Sequence, residues 1–165
     1  MSTTDAARNT AAVRSTLSEE SKAGVQARLQ PTLVDLLDLQ LTGKQLHWNV
    51  VGENFKTIHE HLDEIVDAYR TWSDEVAERM SSIGVSPDGR VQRIAGDSPA
   101  DPVPEGWTPQ RDVVATITDR IEAAARGVRE RLDGLGELDL PSEDLLIKIL
   151  DGLEMQLWMF SAQQA

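Results

Sequence analysis

The hydrophobic residues of this chain recur every three or four positions in four long segments. That spacing places apolar side chains on one side of a helix. The clearest segment begins at Phe55 and ends at Gly84, and its apolar stripe is unbroken over that length. No segment alternates apolar and polar residues in the way that predicts a strand. The pattern therefore predicts an all-α protein.

Proline and glycine mark the ends of the predicted helices, because proline suits a first turn and glycine a position just after a helix. The four helices are predicted over 31–50, 55–83, 108–133 and 140–160. Residues 84–107 are rich in proline and glycine, which predicts a long crossover with one short helix around 90–95. Two helical pairs joined by one long crossover are typical of a ferritin-like four-helix bundle.

The predicted bundle occupies residues 31–165, which is long enough for one domain with a sizeable core. Residues 1–30 are rich in alanine, serine, threonine and arginine with weak periodicity, and predict a flexible N-terminal arm with at most a helical turn near 18–29. No apolar run is long enough to cross a membrane, and no signal-peptide pattern is present. We therefore expect a cytoplasmic protein.

Charge and cysteine content narrow the chemistry. The chain has no cysteine, which excludes disulfides and thiolate metal sites. It carries 28 acidic against 16 basic residues, a formal net charge of −12. Such a balance attracts cations and repels phosphate backbones, although acidity can also serve solubility alone.

Five candidate metal ligands lie in the first two helices. His47 is near the end of the first, while the second carries His59 with Asp63 and then Asp74 with Glu78, each pair four residues apart. Imidazole with carboxylates and no thiolate suits iron, manganese or zinc. At 100° per residue, the four ligands of the second helix fall within an arc of about 100°, nearly opposite the apolar stripe. They are predicted to point away from the bundle core.

The spacing of these ligands predicts a site shared between two chains. Asp63 and Asp74 are separated by about 16 Å along a helix, whereas ligands bind these metals at roughly 2 Å. One chain therefore cannot bring both pairs to one ion, but an antiparallel copy related by a two-fold axis can. The alternative, a site inside the bundle, requires Glu-x-x-His motifs on core-facing helices. That motif is absent from the sequence.

These residues resemble a known family. The stretch from Gly43 to Gly52 (GKQLHWNVVG), with Phe55, the ligands above, Ala77-Glu78-Arg79 and Leu157-Trp158, is similar to the signature of Dps proteins, the DNA-binding proteins from starved cells. The resemblance covers about residues 31–160 and implies a dodecamer built from two-fold dimers. It implies Fe(II) oxidation, preferably by hydrogen peroxide but also by dioxygen, and storage of Fe(III) mineral in a hollow shell. The implied non-haem di-iron ferroxidase centre takes His47, His59 and Asp63 from one subunit and Asp74 and Glu78 from its two-fold mate.

Several further residues have two interpretations. We expect Trp48 and Trp72 to be packing residues, although the resemblance also allows Trp48 a place beside the iron as an electron donor. His61 lies beside the apolar stripe and is expected to be an edge-of-core residue. Asp67 and Arg70 share the ligand arc, and a salt bridge across the dimer contact is expected rather than metal binding.

The resemblance also places an iron-entry pore near the start of the last helix, at Asp139, Glu143 and Asp144. Lys148 departs from an acidic lining. Helix capping is the alternative role for these acidic residues.

DNA binding is the competing function, because the family name suggests a DNA-compacting stress protein. Residues 1–30 contain four basic and three acidic side chains, a balance of only +1. Such an arm must act against the acidic body of every subunit, so we expect weak or no DNA binding at physiological salt. A third alternative is an inert shell whose site holds zinc or nothing.

Overall fold

The computed structural model describes residues 13–98, 102–103 and 105–164, and this part of the chain is almost entirely helical. Its helices are α1 (Glu19–Asn49), α2 (Phe55–Ser82), α3 (Val91–Asp97), α4 (Gln110–Arg131), α5 (Leu135–Leu138) and α6 (Leu140–Ser161), followed by a 3-10 turn at Ala162–Gln164. The four long helices and the short helix of the crossover confirm the predicted all-α bundle.

The core lies between two antiparallel helix pairs. Helix α1 packs along α2, and α4 packs along α6, while α1–α4 and α2–α6 contacts close the bundle. Large side chains from all four long helices are fully buried there, including Leu36, Leu62, Tyr69, Ile117 and Leu146. Because these residues form the apolar stripes of their helices, the opposite faces of the helices carry the charged residues.

The first helix begins earlier than the sequence predicts. The predicted start at Pro31 and the predicted arm over residues 1–30 are wrong for residues 19–30, which are helical, and Pro31 lies inside α1. Ser18 caps the helix, since its hydroxyl accepts a hydrogen bond from the backbone N–H of Ser21. Val25 and Leu29 are completely buried, and this burial offsets the backbone hydrogen bond that Pro31 removes. The first twelve residues of the predicted arm lie outside the described residues.

A two-residue bridge fastens the crossover to the turn between α1 and α2. Strands β1 (Val50–Val51) and β2 (Thr108–Pro109) pair in parallel, a feature that the sequence pattern did not predict. Next to it, the side-chain oxygen of Gln110 accepts a hydrogen bond from the backbone N–H of Asn54 at 2.6 Å. The start of α4 therefore holds the short connection between α1 and α2. His47 lies just before this connection and His59 just after it.

Candidate metal centre

The histidines of the predicted site lie together at the turn between α1 and α2. The rings of His47 and His59 stack with 3.6 Å between their centroids and 20° between their planes. His47 is buried, His59 is half-buried, and the ring of Phe55 lies 5.0 Å from that of His59. The tight connection brings two residues twelve positions apart into contact, so these two predicted ligands form a pair within one chain.

Each histidine is oriented by the backbone of the other. Nδ1 of His47 lies 2.8 Å from the carbonyl oxygen of His59, and Nδ1 of His59 lies 3.0 Å from the carbonyl oxygen of His47. A carbonyl oxygen can only accept, so both Nδ1 atoms must carry the hydrogen and donate it. In the neutral ring this leaves the lone pair on Nε2. Backbone bonds of this kind fix the tautomer and the ring orientation of metal-binding histidines.

Asp63 lies one turn beyond His59 and joins the pair. Its Oδ1 atom is 3.6 Å from Nδ1 of His47 and accepts a hydrogen bond from Nζ of Lys44 at 2.5 Å. The Lys44 hydrogen bond is the main reason that the pKa of the Asp63 carboxyl lies below its usual value, so the group is ionised at neutral pH. Lys44 lies one turn before His47 on the same face of α1, but its contact with Asp63 of α2 could not be predicted from that spacing.

The other two predicted ligands lie apart from this group. Asp74 and Glu78 are exposed on the C-terminal half of α2, and neither has an ion-pair or hydrogen-bond partner among the described residues. Within the described chain, no three histidine, aspartate or glutamate side chains are close enough together to hold a metal ion. His47, His59 and Asp63 are neighbours in one chain but do not form a complete three-ligand site by themselves. Asp74 lies about 16 Å beyond Asp63 along the helix, and Glu78 lies one turn further.

The aromatic residues near the site have separate roles. Trp48 is 62% exposed, and its ring lies 5.9 Å from Nζ of Lys44. Trp72 is half-buried and packs against Gly152 and the ring of Tyr69, as expected of a packing residue.

The third histidine, His61, lies away from the other two. Its ring stacks on Phe160 with 4.2 Å between ring centroids, and burial lowers the pKa of His61. The prediction that His61 is an edge-of-core residue is confirmed.

The predicted pore residues divide into one structural and two surface side chains. Asp139 is buried, accepts hydrogen bonds from Arg79 at 2.6 Å and from the backbone of Ser142, and caps α6. The carboxylate thus has the capping role that the sequence analysis gave as the alternative, and it also binds an arginine sixty positions earlier in the chain. A place for Asp139 in a pore stays a prediction. Glu143 packs over Gly136, whereas Asp144 is exposed. Lys148 forms an ion pair with Glu75 at 2.8 Å.

Comparison with known proteins defines the class first. A family model described as "Ferritin-like domain" matches residues 26–165. A solved structure of Dps from Microbacterium arborescens in a high-iron form superposes with a TM-score of 0.86, at 35% identity over 91% of this chain and 98% of that one. DpsA14 from Streptomyces coelicolor also gives a TM-score of 0.86, at 29% identity over 93% of each chain. The bundle is thus a ferritin-like domain.

The curated relatives identify the family within that class. A protein of Mycolicibacterium smegmatis named "DNA protection during starvation protein" is 37% identical over 150 residues, which cover 88% of this chain and 80% of the relative. The chain belongs to the Dps family of mini-ferritins. No helix in the described ranges is long and apolar enough to cross a membrane.

Proposed function

We propose that this protein is a ferroxidase and iron store, in which Fe(II) is the substrate. The observation that carries the proposal is the pair of histidines whose Nδ1 atoms are bonded to backbone carbonyls. Their Nε2 lone pairs are oriented and available, and an ionised carboxylate lies beside them. Such a neutral-imidazole and carboxylate set suits iron. The high-iron form of the Microbacterium arborescens relative agrees with this substrate.

The complete site is proposed at a two-fold interface between antiparallel copies of α2. His47, His59 and Asp63 of one subunit face Asp74 and Glu78 of the partner subunit, and symmetry creates a second, identical site. The absence of in-chain partners for Asp74 and Glu78 among the described residues supports this assignment, since both carboxylates are available to a second molecule. Two-fold dimers of this kind are proposed to form the hollow dodecamer that stores Fe(III).

The chemistry follows from the ligand types. Carboxylates are hard ligands that favour Fe(III) over Fe(II), so Asp63 and the partner subunit's Asp74 and Glu78 favour electron loss. The histidines hold the ion while leaving positions for water or the oxidant. Two Fe(II) ions each give one electron to hydrogen peroxide, which takes up two protons and leaves as two water molecules. Dioxygen is the alternative oxidant.

Lys44 has a defined part in this proposal. In the metal-free chain it holds Oδ1 of Asp63, while Oδ2 has no hydrogen-bond partner among the described residues. Lys44 thereby keeps the carboxylate ionised and in place until a cation arrives. Iron entry is proposed at a three-fold axis lined by Asp144, with Glu143 as a weaker contributor, because exposed carboxylates attract cations.

The proposal is tested by replacing both histidines. We expect the double variant H47A/H59A to lose at least about 100-fold in the rate of Fe(II) oxidation, because it removes both nitrogen ligands. The rate is measured from ferric absorbance after mixing with peroxide, and assembly is measured by light scattering. The matched control is H61A, which removes a histidine of the same helix and should retain the wild-type rate. An unchanged rate in H47A/H59A would refute the ligand assignment.

DNA protection is the second candidate function, because the Mycolicibacterium smegmatis relative carries that name. Two of the four cations in the predicted arm belong to α1 instead. Lys22 pairs with Glu19 at 2.7 Å, and Arg28 donates to the carbonyl oxygens of Gly24 and Asp133. These contacts reduce the charge available to DNA, so we propose weak or absent binding. Retention of DNA in a gel shift at about 150 mM salt would contradict this part of the proposal.

A further inference from the structure

The centre of the proposed interface carries two oppositely charged residues that the iron site does not use. On a helical wheel, Asp67 and Arg70 lie within about 30° of the middle of the ligand arc. Both side chains are exposed. They therefore occupy the middle of the surface whose two ends carry the ligands. Arg70 is also the only lysine or arginine between His59 and Glu78 in the sequence.

Neither residue has an ion-pair partner in the part of its own chain that the structure describes. Several charged side chains there are paired with a neighbouring helix, such as Lys44 with Asp63, Lys148 with Glu75 and Arg131 with Asp35. Asp67 and Arg70 form no ion pair among the described residues, even though a spacing of three residues on a helix allows one. An arginine and an aspartate are thus both available to a partner molecule.

Their positions match the symmetry that the metal ligands require. The two-fold axis that brings Asp63 opposite the partner subunit's Asp74 crosses α2 midway between Ala68 and Tyr69. Asp67 and Arg70 are equally far from that midpoint, on opposite sides of it. In the antiparallel dimer Asp67 is therefore level with the partner subunit's Arg70, and the reciprocal pair is generated by the same axis.

We infer that Asp67 and Arg70 form two reciprocal salt bridges across the two-fold axis and so fix the register of α2 against its copy. The inference rests on the proposed function, because the proposed shared site sets the position of the axis. Without Arg70, this face would oppose Asp63, Asp67, Asp74 and Glu78 to the same four carboxylates of the partner, at a cost in repulsion. The salt bridges act as positioning contacts: a slip of one turn would separate the two half-sites.

Charge reversal provides the test. D67R leaves arginine at both positions 67 and 70, and R70D leaves aspartate at both. A dimer of either variant alone therefore sets like charges against each other. We expect the dimer dissociation constant of each to rise about 100-fold. When the two variants are mixed in equal amounts, both arginines of a D67R chain face the two aspartates of an R70D chain, which should restore wild-type association. Association is measured by sedimentation over a dilution series, together with the urea concentration that dissociates the assembly.

The controls separate an interface role from a fold role and from iron chemistry. Circular dichroism of each variant checks that the helices form, and D67R/R70D in one chain should associate like the wild type. The control pair E122R and R126E reverses an exposed in-chain ion pair of α4 and should not show complementation on mixing. Equal association of wild type and both single variants, or no recovery in the mixture, would overturn the inference. If the mixed variants recover association but the wild-type assembly does not oxidise Fe(II), the proposed function is refuted while the inference stands.

Discussion

The two halves of the outward face of α2 differ in how far a single chain prepares them. In the first half, α1 supplies His47 and Lys44, and the backbone and side chains of both helices fix His59 and Asp63. In the second half, Asp74 and Glu78 carry no side-chain contact of this kind within the described chain. One half-site is therefore pre-organised in the monomer. The other half has no such orienting contacts among the described residues.

The difference has a local cause. The first half lies beside the tight turn from α1 to α2, where Gly43 allows the two helices to approach so closely that an added Cβ would lie 2.6 Å from Val66. The second half is attached to the bundle by side chains other than the ligands, among them Arg79, which binds Asp139. Rigid orientation thus arises where two helices share contacts, while carboxylates on one helix alone remain adjustable.

The largest effect is expected from separating the two halves onto different chains. H47A/H59A and D74A/E78A should each lose at least about 100-fold in Fe(II) oxidation rate. When the two variants are co-assembled in equal amounts, about one quarter of the sites receive both intact halves, so about one quarter of the activity should return. Recovery is measured by ferric absorbance on the mixed assembly. Activity that stayed at the level of the single variants would mean that the halves do not meet between chains.

A second prediction concerns the inward attachment of the second half. R79M leaves the buried carboxylate of Asp139 without its cation and should destabilise the chain by about 3 kcal/mol. Denaturant unfolding followed by circular dichroism measures the loss. R93M, which removes an exposed ion pair with Asp97, is the control and should change stability by less than about 1 kcal/mol. Equal effects of the two substitutions would contradict the structural role of Arg79.

A third prediction tests the close approach at the first half. G43A places a methyl group against Val66 and should destabilise the chain by about 1–2 kcal/mol while lowering the oxidation rate more than R79M does. The reason is that the added methyl group separates α1 from α2 beside His47. G96A is the control, because a Cβ at that position would meet no described atom within 4 Å apart from its chain neighbours and the backbone of its own helix. A rate in G43A equal to that of the wild type would show that the approach of the helices does not orient the ligands.

The smallest effect is expected from Lys44. Its hydrogen bond lowers the pKa of Asp63, so the carboxylate stays ionised, and able to bind a cation, to a lower pH than an isolated aspartate. K44M should raise that pKa toward its ordinary value and move the acidic limb of the pH–rate profile to higher pH. K56M removes a cation that pairs with Glu60 instead and should leave the profile unchanged. A shift toward lower pH in K44M would have the wrong sign for this account.

The sequence was most informative where one helix alone decides the structure. The apolar stripe of α2 predicted its bounds closely, because a long run of positions with one period leaves no other way to bury them. The same period placed the four ligands of α2 on the outward face. The start of α1 was missed because Pro31 suggests a first turn, whereas the burial of Val25 and Leu29 extends the helix through it.

The features of the candidate site that could not be predicted depend on contacts between distant residues. The residues next to Asp139 in the sequence predict a pore or a helix-capping carboxylate, whereas its contact with Arg79 arises only in the fold. Lys44 belongs to the stretch from Gly43 to Gly52, but its role could not be predicted, since its contact with Asp63 depends on how α1 and α2 cross. The reciprocal histidine hydrogen bonds depend on the path of the turn, which no periodicity encodes.

The parallel bridge between Val50–Val51 and Thr108–Pro109 fixes only the last residues of the long crossover between the helix pairs. Its last residues are hydrogen-bonded to the turn between α1 and α2, beside which His47 and His59 lie. Residues 105–107, by contrast, are exposed to solvent. Insertions at Gly106 should therefore leave the rest of the fold unchanged, while a change of length between Thr108 and Gln110 would shift the turn between α1 and α2. The second helix pair thereby helps to hold the histidines, although it contributes none of the proposed ligands.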